Sequence, residues 1–148
     1  MIDTAFSITT DTSTLSIFDL ASLKHRLDDT PDWWSIPKDA ITEINKGNVI
    51  FLNLEKDGDY DIEVCDTLGT HCSSLFINVP SGFVFVGSGE DTTGGGLEPD
   101  DSEYISGKIL NIPIGEYEVR FYKQDKNIKI MFLKGLISHN NIDELIRI

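Results

Sequence analysis

From Asn48 to Val64 the chain reads NVIFLNLEKDGDYDIEV, with Ile50, Leu52 and Leu54 and then Tyr60, Ile62 and Val64 alternating with polar residues. A period of two puts successive side chains on opposite faces, so this stretch fits strands with one buried face and not a helix of period 3.6. A loop at Lys56, Asp57 and Gly58, with Gly58 in the left-handed position, predicts a hairpin that sets Leu54 against Tyr60, Leu52 against Ile62 and Ile50 against Val64. Slipping by one residue would face the leucines with aspartate and glutamate.

The same reasoning extends along the chain. A turn between Leu68 and Gly69 pairs Val64 with Ser73, Ile62 with Leu75 and Tyr60 with Ile77, and it sets Cys65 opposite Cys72 on the other face. Phe6 to Thr9, Thr14 to Phe18, Phe83 to Val86 and Lys108 to Ile112 also read as strands. In GEYEVRFYKQDKNIKIMFLKG a turn at Gln124 and Asp125 places Phe121 against Ile128, Val119 against Ile130 and Tyr117 against Phe132.

Two helices are expected before the strands. Asp19 can cap one running through Leu20, Leu23 and Leu27, stopped by Pro31. The second has Pro37 in its first turn, Ile41 and Ile44 on one face and Gly47 as its C-cap. The tail NNIDELIRI has a capping asparagine and predicts one or two closing helical turns. The segment Gly87 to Glu103 has six acids and no base and reads as a long mobile loop.

Seven to nine short strands joined by tight turns predict a mainly β protein, an antiparallel β-sandwich or open barrel with two short N-terminal helices and a short C-terminal helix. A doubly wound parallel fold needs a helix between successive strands, which this pattern lacks. At 148 residues one core suffices, and residues 1–148 read as a single domain.

Net charge is −13, and it is unevenly placed: residues 1–104 hold 20 acids and 5 bases, residues 105–148 hold 5 acids and 7 bases. Nucleic acid and anionic membranes demand a basic footprint, so neither is an expected partner. The start MIDTAFSITTDTSTL has no basic segment followed by an apolar run, and the two cysteines form no disulfide framework; both features suit a cytoplasmic protein.

Motifs for chemistry are sparse. Asp57, Asp59 and Asp61 are spaced like the start of a calcium loop, but Ile62 and Leu68 stand where an EF-hand needs glycine and glutamate. Cys65, His71 and Cys72 lack zinc-knuckle spacing, and His25 and His139 have no second ligand in register. GSGEDTTGGG lacks the Gly-Lys-Ser/Thr ending of a phosphate loop, and no G-x-S-x-G elbow occurs. No cofactor is expected, and the chain reads as a binding protein more than an enzyme.

The stretch LDDTPDWWSIPKD places Trp33 and Trp34 among aspartates. One indole is expected in the core and the other at least partly exposed, because adjacent side chains point in different directions. An aromatic anchor in a charged rim resembles a protein-binding hot spot. The residues assigned to partner binding are Asp28, Asp29, Asp32, Trp33, Trp34, Glu90, Asp91, Glu98, Asp100, Asp101 and Glu103, a field that would attract a basic protein and speed its association.

In size and charge, in DTSTLSIFDLASLKHRLDD followed by DWW, and in IPIGEYEVRFY with its G-x-Y-x-V strand, the chain resembles the small acidic β-rich bacterial immunity and nuclease-inhibitor proteins encoded beside toxins. That resemblance implies a non-enzymatic inhibitor of a basic partner such as a toxin nuclease. The alternative is a small ligand- or cation-binding β domain, possibly enzymatic, in which two or more of Asp57, Asp59, Asp61, Glu63 and His71 converge in a pocket.

Overall fold

The computed structural model describes residues 4–68 and 72–148. Among the described residues ten strands occur in the order β1 (Thr4–Thr10), β2 (Thr14–Asp19), β3 (Ile50–Asn53), β4 (Gly58–Val64), β5 (Ser73–Val79), β6 (Phe83–Ser88), β7 (Gly107–Asn111), β8 (Gly115–Gln124), β9 (Asn127–Gly135) and β10 (Ile146–Arg147), with the helix α1 (Pro37–Asn45) between β2 and β3. They form two five-stranded sheets ordered β1-β4-β9-β8-β5 and β10-β3-β2-β6-β7. Among the described residues the sheets do not close into a barrel, and no helix is long and apolar enough to cross a membrane.

Both sheets are mixed and not purely antiparallel as expected, because β4 runs parallel to β9 and β10 parallel to β3. The strands at the centre of the sequence argument exist, but their pairing differs. β3 pairs with β2 and β10, whereas β4 pairs with β1 and β9, so the expected hairpin of Leu54 with Tyr60 is instead a corner between the two sheets. Gly58 does take positive φ there, at 129°, and Glu55 joins it at φ 73°.

β5 likewise pairs with β8, leaving β9 and β8 between β4 and β5. Three strand spacings, on the order of 14 Å, thus separate the two strands that carry Cys65 and Cys72 at their ends. The expected cross-strand pairing of these residues is overturned. The turn placed at Leu68 and Gly69 lies partly outside the described residues.

The β8–β9 hairpin forms, with Gln124 opposite Asn127, so Phe121 faces Ile130, Val119 faces Phe132 and Tyr117 faces Lys134. This register is two residues from the expected one along β9. Both keep the same side chains on the same face, which is why alternation alone does not separate them.

Alternating burial in β4 contrasts with β2 and β6, which are buried on both faces. The inner faces supply Ile8, Ile62, Ile77, Val119, Ile130 and Phe132 from one sheet and Leu15, Ile17, Ile50, Leu52, Val84 and Val86 from the other. The second sheet's other face is covered by residues 20–46 and by the segment after β6. There Phe18 packs edge-on to Phe85, Trp33 edge-on to Phe51, and the Thr92 hydroxyl donates to Ser16 Oγ.

The covering layer is less helical than the sequence suggests. Among the described residues only α1 is an α-helix; the expected first helix is a single 3-10 turn at Lys24–Arg26, with another at Trp33–Ser35. Leu23 is fully buried, so the leucine spacing reports contact with the sheet below and not helical repetition. Asp19 caps no helix. Its carboxylate closes the β2 end, accepting from Ala21 N, Ser81 N, Ser81 Oγ and Gly82 N at 2.6–3.0 Å.

α1 follows its sequence signals, with Pro37 in the first turn and Gly47 past the end at φ 77°. A Cβ on Gly47 would sit 1.5 Å from the Ser138 carbonyl oxygen, so no side chain fits there. The tail forms the short strand β10 in place of the expected C-terminal helix.

Candidate protein-docking surface

The two acid-rich segments, about 60 residues apart in sequence, are tied together by the turn that begins at Gly94. Gly95 N donates to Asp29 O and Gly96 N to Leu27 O, each at 2.7 Å, while Trp33 Nε1 donates to Thr93 O at 2.6 Å. Gly95 and Gly96 both have positive φ, which glycine adopts without a Cβ clash. Lys24 Nζ clasps both oxygens of Glu98 at 2.6–2.7 Å across the same junction.

The expected site residues divide by what they touch. Asp28, Asp32, Asp100, Asp101 and Glu103 are exposed. Asp29 is half-buried and receives Arg26 Nη1 at 2.8 Å; that hydrogen bond holds its carboxyl below the ordinary aspartate range. The Ser102 side chain and backbone amide do the same for Asp100.

Glu90 and Asp91 turn inward to hold loops. Glu90 accepts from Thr10 Oγ1 at 2.8 Å, Thr12 Oγ1 at 2.7 Å and Asp11 N at 2.6 Å. Burial pushes its carboxyl up, but these donors outweigh burial and leave it below the usual carboxylate range. Asp91 accepts from Ser88 Oγ and Ser106 N.

The tryptophans separate. Trp33 is 1% exposed, whereas Trp34 is half-buried, with its Nε1 donating to Pro31 O at 3.1 Å. Beneath them Glu43, 2% exposed, accepts from Arg26 Nε, His25 Nε2 and Asn48 Nδ2 at 2.8–2.9 Å. Burial raises the Glu43 carboxyl, and the Asn48, Arg26 and His25 bonds pull it to a net position below its usual range.

The sequence reading passed over two residues. Leu97 is 76% exposed inside the acidic segment, and Tyr104, which directly follows it, is 85% exposed. For Leu97 the signal was available: it is a lone large apolar residue where no period offers a buried face.

The carboxylates of β4 do not converge. Asp59, Asp61 and Glu63 stand on one exposed strand face, where alternate residues lie about 7 Å apart. Asp59 and Asp61 accept from Thr9 Oγ1 and Ser7 Oγ at 2.6–2.7 Å, and Asp57 accepts from Ser13 Oγ at 2.6 Å. Asp61 and Glu63 border an open depression of about 300 Å³ together with Lys129. Among the described residues no three His, Cys, Asp or Glu side chains are grouped to hold a metal, and His71 lies outside those residues.

Two solved structures share the fold. A protein described as "Crocagin biosynthetic gene J" aligns with a TM-score of 0.55 at 16% identity, covering 90% of this chain and 99% of its own. ComJ from Bacillus subtilis, described as an inhibitor of the DNA-degrading activity of NucA, aligns with a TM-score of 0.55 at 10% identity, covering 91% of this chain and 100% of its own. No curated protein matches the sequence. Residues 1–148 match the model of a family of unknown function, DUF6386, and the chain belongs to that family.

Proposed function

We propose that the protein is a non-enzymatic inhibitor that binds a basic protein partner, such as a toxin nuclease, through its acidic layer. The observation that carries this reading is the junction of residues 27–29 with Gly95 and Gly96, which brings two acidic segments distant in sequence onto one side of the molecule. Asp28, Asp32, Asp100, Asp101 and Glu103 are left open to solvent, with Leu97 and Tyr104 exposed among the later acids. Carboxylates around apolar anchors suit a partner of opposite charge, and the field they set up speeds encounter. Fold similarity across the whole of ComJ, itself a nuclease inhibitor, supports the same reading.

The test uses basic proteins recovered from the native host by this chain at low salt, each purified and mixed with it. Its association rate is expected to fall steeply between low and high salt, and the triple change Asp100→Lys, Asp101→Lys, Glu103→Lys to slow association at low salt by about tenfold or more. Rates insensitive to both salt and reversal would overturn the proposal.

A further inference from the structure

Beside the acidic junction, a groove of about 210 Å³ is lined by Trp34 and Phe51, whose ring centres are 6.2 Å apart, with Leu145 and with the polar side chains of Thr12, Thr14 and Asn53. It is smaller than the roughly 300–1,000 Å³ of pockets that take a cofactor or drug-sized ligand, so its scale is that of one inserted side chain.

Among the described residues no charged side chain lines it, but three acids are held by its lining residues or their chain neighbours. Glu90 is bonded to Thr12 Oγ1, and Asp57 to Ser13 Oγ between the groove residues Thr12 and Thr14. The exposed Glu144 precedes Leu145 in the chain. Arg147 stands opposite the groove residue Asn53 in the parallel pair of β10 with β3. We propose that this groove receives an arginine side chain of the basic partner, stacked on the Trp34 indole; the proposal rests on the inhibitor reading above and names one contact of that interface.

The choice of arginine follows from charge and from a geometry the chain already uses. A guanidinium is planar and weakly hydrated, stacks on an indole and still donates from its edge, which a lysine ammonium does not match. One residue away, the guanidinium carbon of Arg26 lies 4.5 Å from the Trp33 ring centre while its nitrogens bond Glu43 and Asp29. Trp34 presents a second indole, half open, across a groove from Thr12, to which Glu90 is bonded, with no such cation on its face among the described contacts.

The test is a nuclear magnetic resonance titration of the full chain with a hexa-arginine peptide, with hexa-lysine and hexa-citrulline as controls. The chain has two tryptophans, so it gives two indole N–H signals, which Trp34→Phe assigns. Hexa-arginine is expected to shift the Trp34 signal saturably and hexa-lysine to do so less, while hexa-citrulline leaves it in place. Trp34→Ala is expected to weaken hexa-arginine binding about tenfold and Arg147→Gln to tighten it, with the Trp33 signal reporting that each variant remains folded. If the Trp34 signal stays still while amides of residues 98–103 shift, the groove assignment is overturned and the acidic docking surface stands. If citrulline shifts it equally, the occupant is not cationic and the assignment falls. If nothing moves, the groove assignment is overturned, and the inhibitor reading is decided by the salt and charge-reversal rates above.

Discussion

The guanidinium of Arg26 lies against the face of Trp33, with 4.5 Å between the guanidinium carbon and the ring centre, and the same group bonds the buried Glu43 at 2.9 Å. One side chain thereby ties the 3-10 turn at Lys24–Arg26 to α1 and to the tryptophan pair. Arg26→Ala would leave Glu43 short of its strongest cation in a site 2% exposed, a loss expected to cost about 3–5 kcal/mol in urea unfolding. Arg26→Lys keeps the charge but not the fork or the stacking plane, so it should recover only part of that loss. A lysine variant as stable as the parent would show that charge alone matters here.

Glu90 makes the loop between β1 and β2 sensitive to acid. Its folded-state pKa lies below its unfolded value of about 4.3, so its contribution is complete above that pH and fades as pH falls through the folded value. Glu43 shifts in the same direction and adds to the same acid limb. Glu90→Gln is expected to cost about 1–2 kcal/mol at pH 7, with the gap to the parent narrowing as pH drops from 5 to 3. Chemical unfolding at several pH values reads this directly, and a gap constant with pH would contradict it.

Strand positions were legible in the sequence because alternation reports which face of a segment is buried. It does not report which strand lies alongside. Ile50, Leu52 and Leu54 and their supposed partners Tyr60, Ile62 and Val64 are all buried, yet Ile50 and Leu52 lie in one sheet and Tyr60, Ile62 and Val64 in the other. The inward roles of Glu90 and Asp91 were hidden for a related reason: their partners are hydroxyls and amides up to 80 residues away, a relation that local composition does not carry. The split between Trp33 and Trp34 was legible, because adjacent side chains in an irregular stretch diverge whatever the tertiary fold.

Asp19 looked like a helix cap and is instead the acceptor for the β5–β6 turn. Four donors converge on its fully buried carboxylate, two of them backbone amides of Ser81 and Gly82. Asp19→Ala strands those donors where water does not replace the acceptor, and at about 1–3 kcal/mol for each unsatisfied group the fold should lose at least about 3 kcal/mol. Asp19→Asn keeps the shape but puts an NH2 group where donors already point, so it should recover less than half of that. Thermal unfolding of the two variants side by side measures this, and an asparagine variant equal to the parent would show that the charge and the second acceptor oxygen are dispensable.

Asn140 guards an edge. β5 is the outermost strand of its sheet, and at Phe76 its free side is occupied by a side chain acting as a strand: Phe76 N donates to Asn140 Oδ1 and Asn140 Nδ2 donates to Phe76 O, both at 2.8 Å. The same amide nitrogen also donates to Ile44 O at the end of α1, and Asn78 N donates to Gly47 O farther along the edge. An unpaired strand edge is a template for another chain, and a net charge of −13 alone opposes self-association only at long range. Asn140→Ala should therefore do two things: lower stability by about 1–3 kcal/mol and expose the Phe76 amide and carbonyl to a second copy. Light scattering at rising salt, which screens the repulsion, should detect association in the variant before the parent. Asn140→Asp, which keeps the acceptor for Phe76 N but loses both donated bonds, separates the effects: it should be destabilised like the alanine variant yet stay monomeric longer, because it adds charge at the edge. Equal scattering from parent and alanine variant across that salt range would show that Gly47 alone covers the strand.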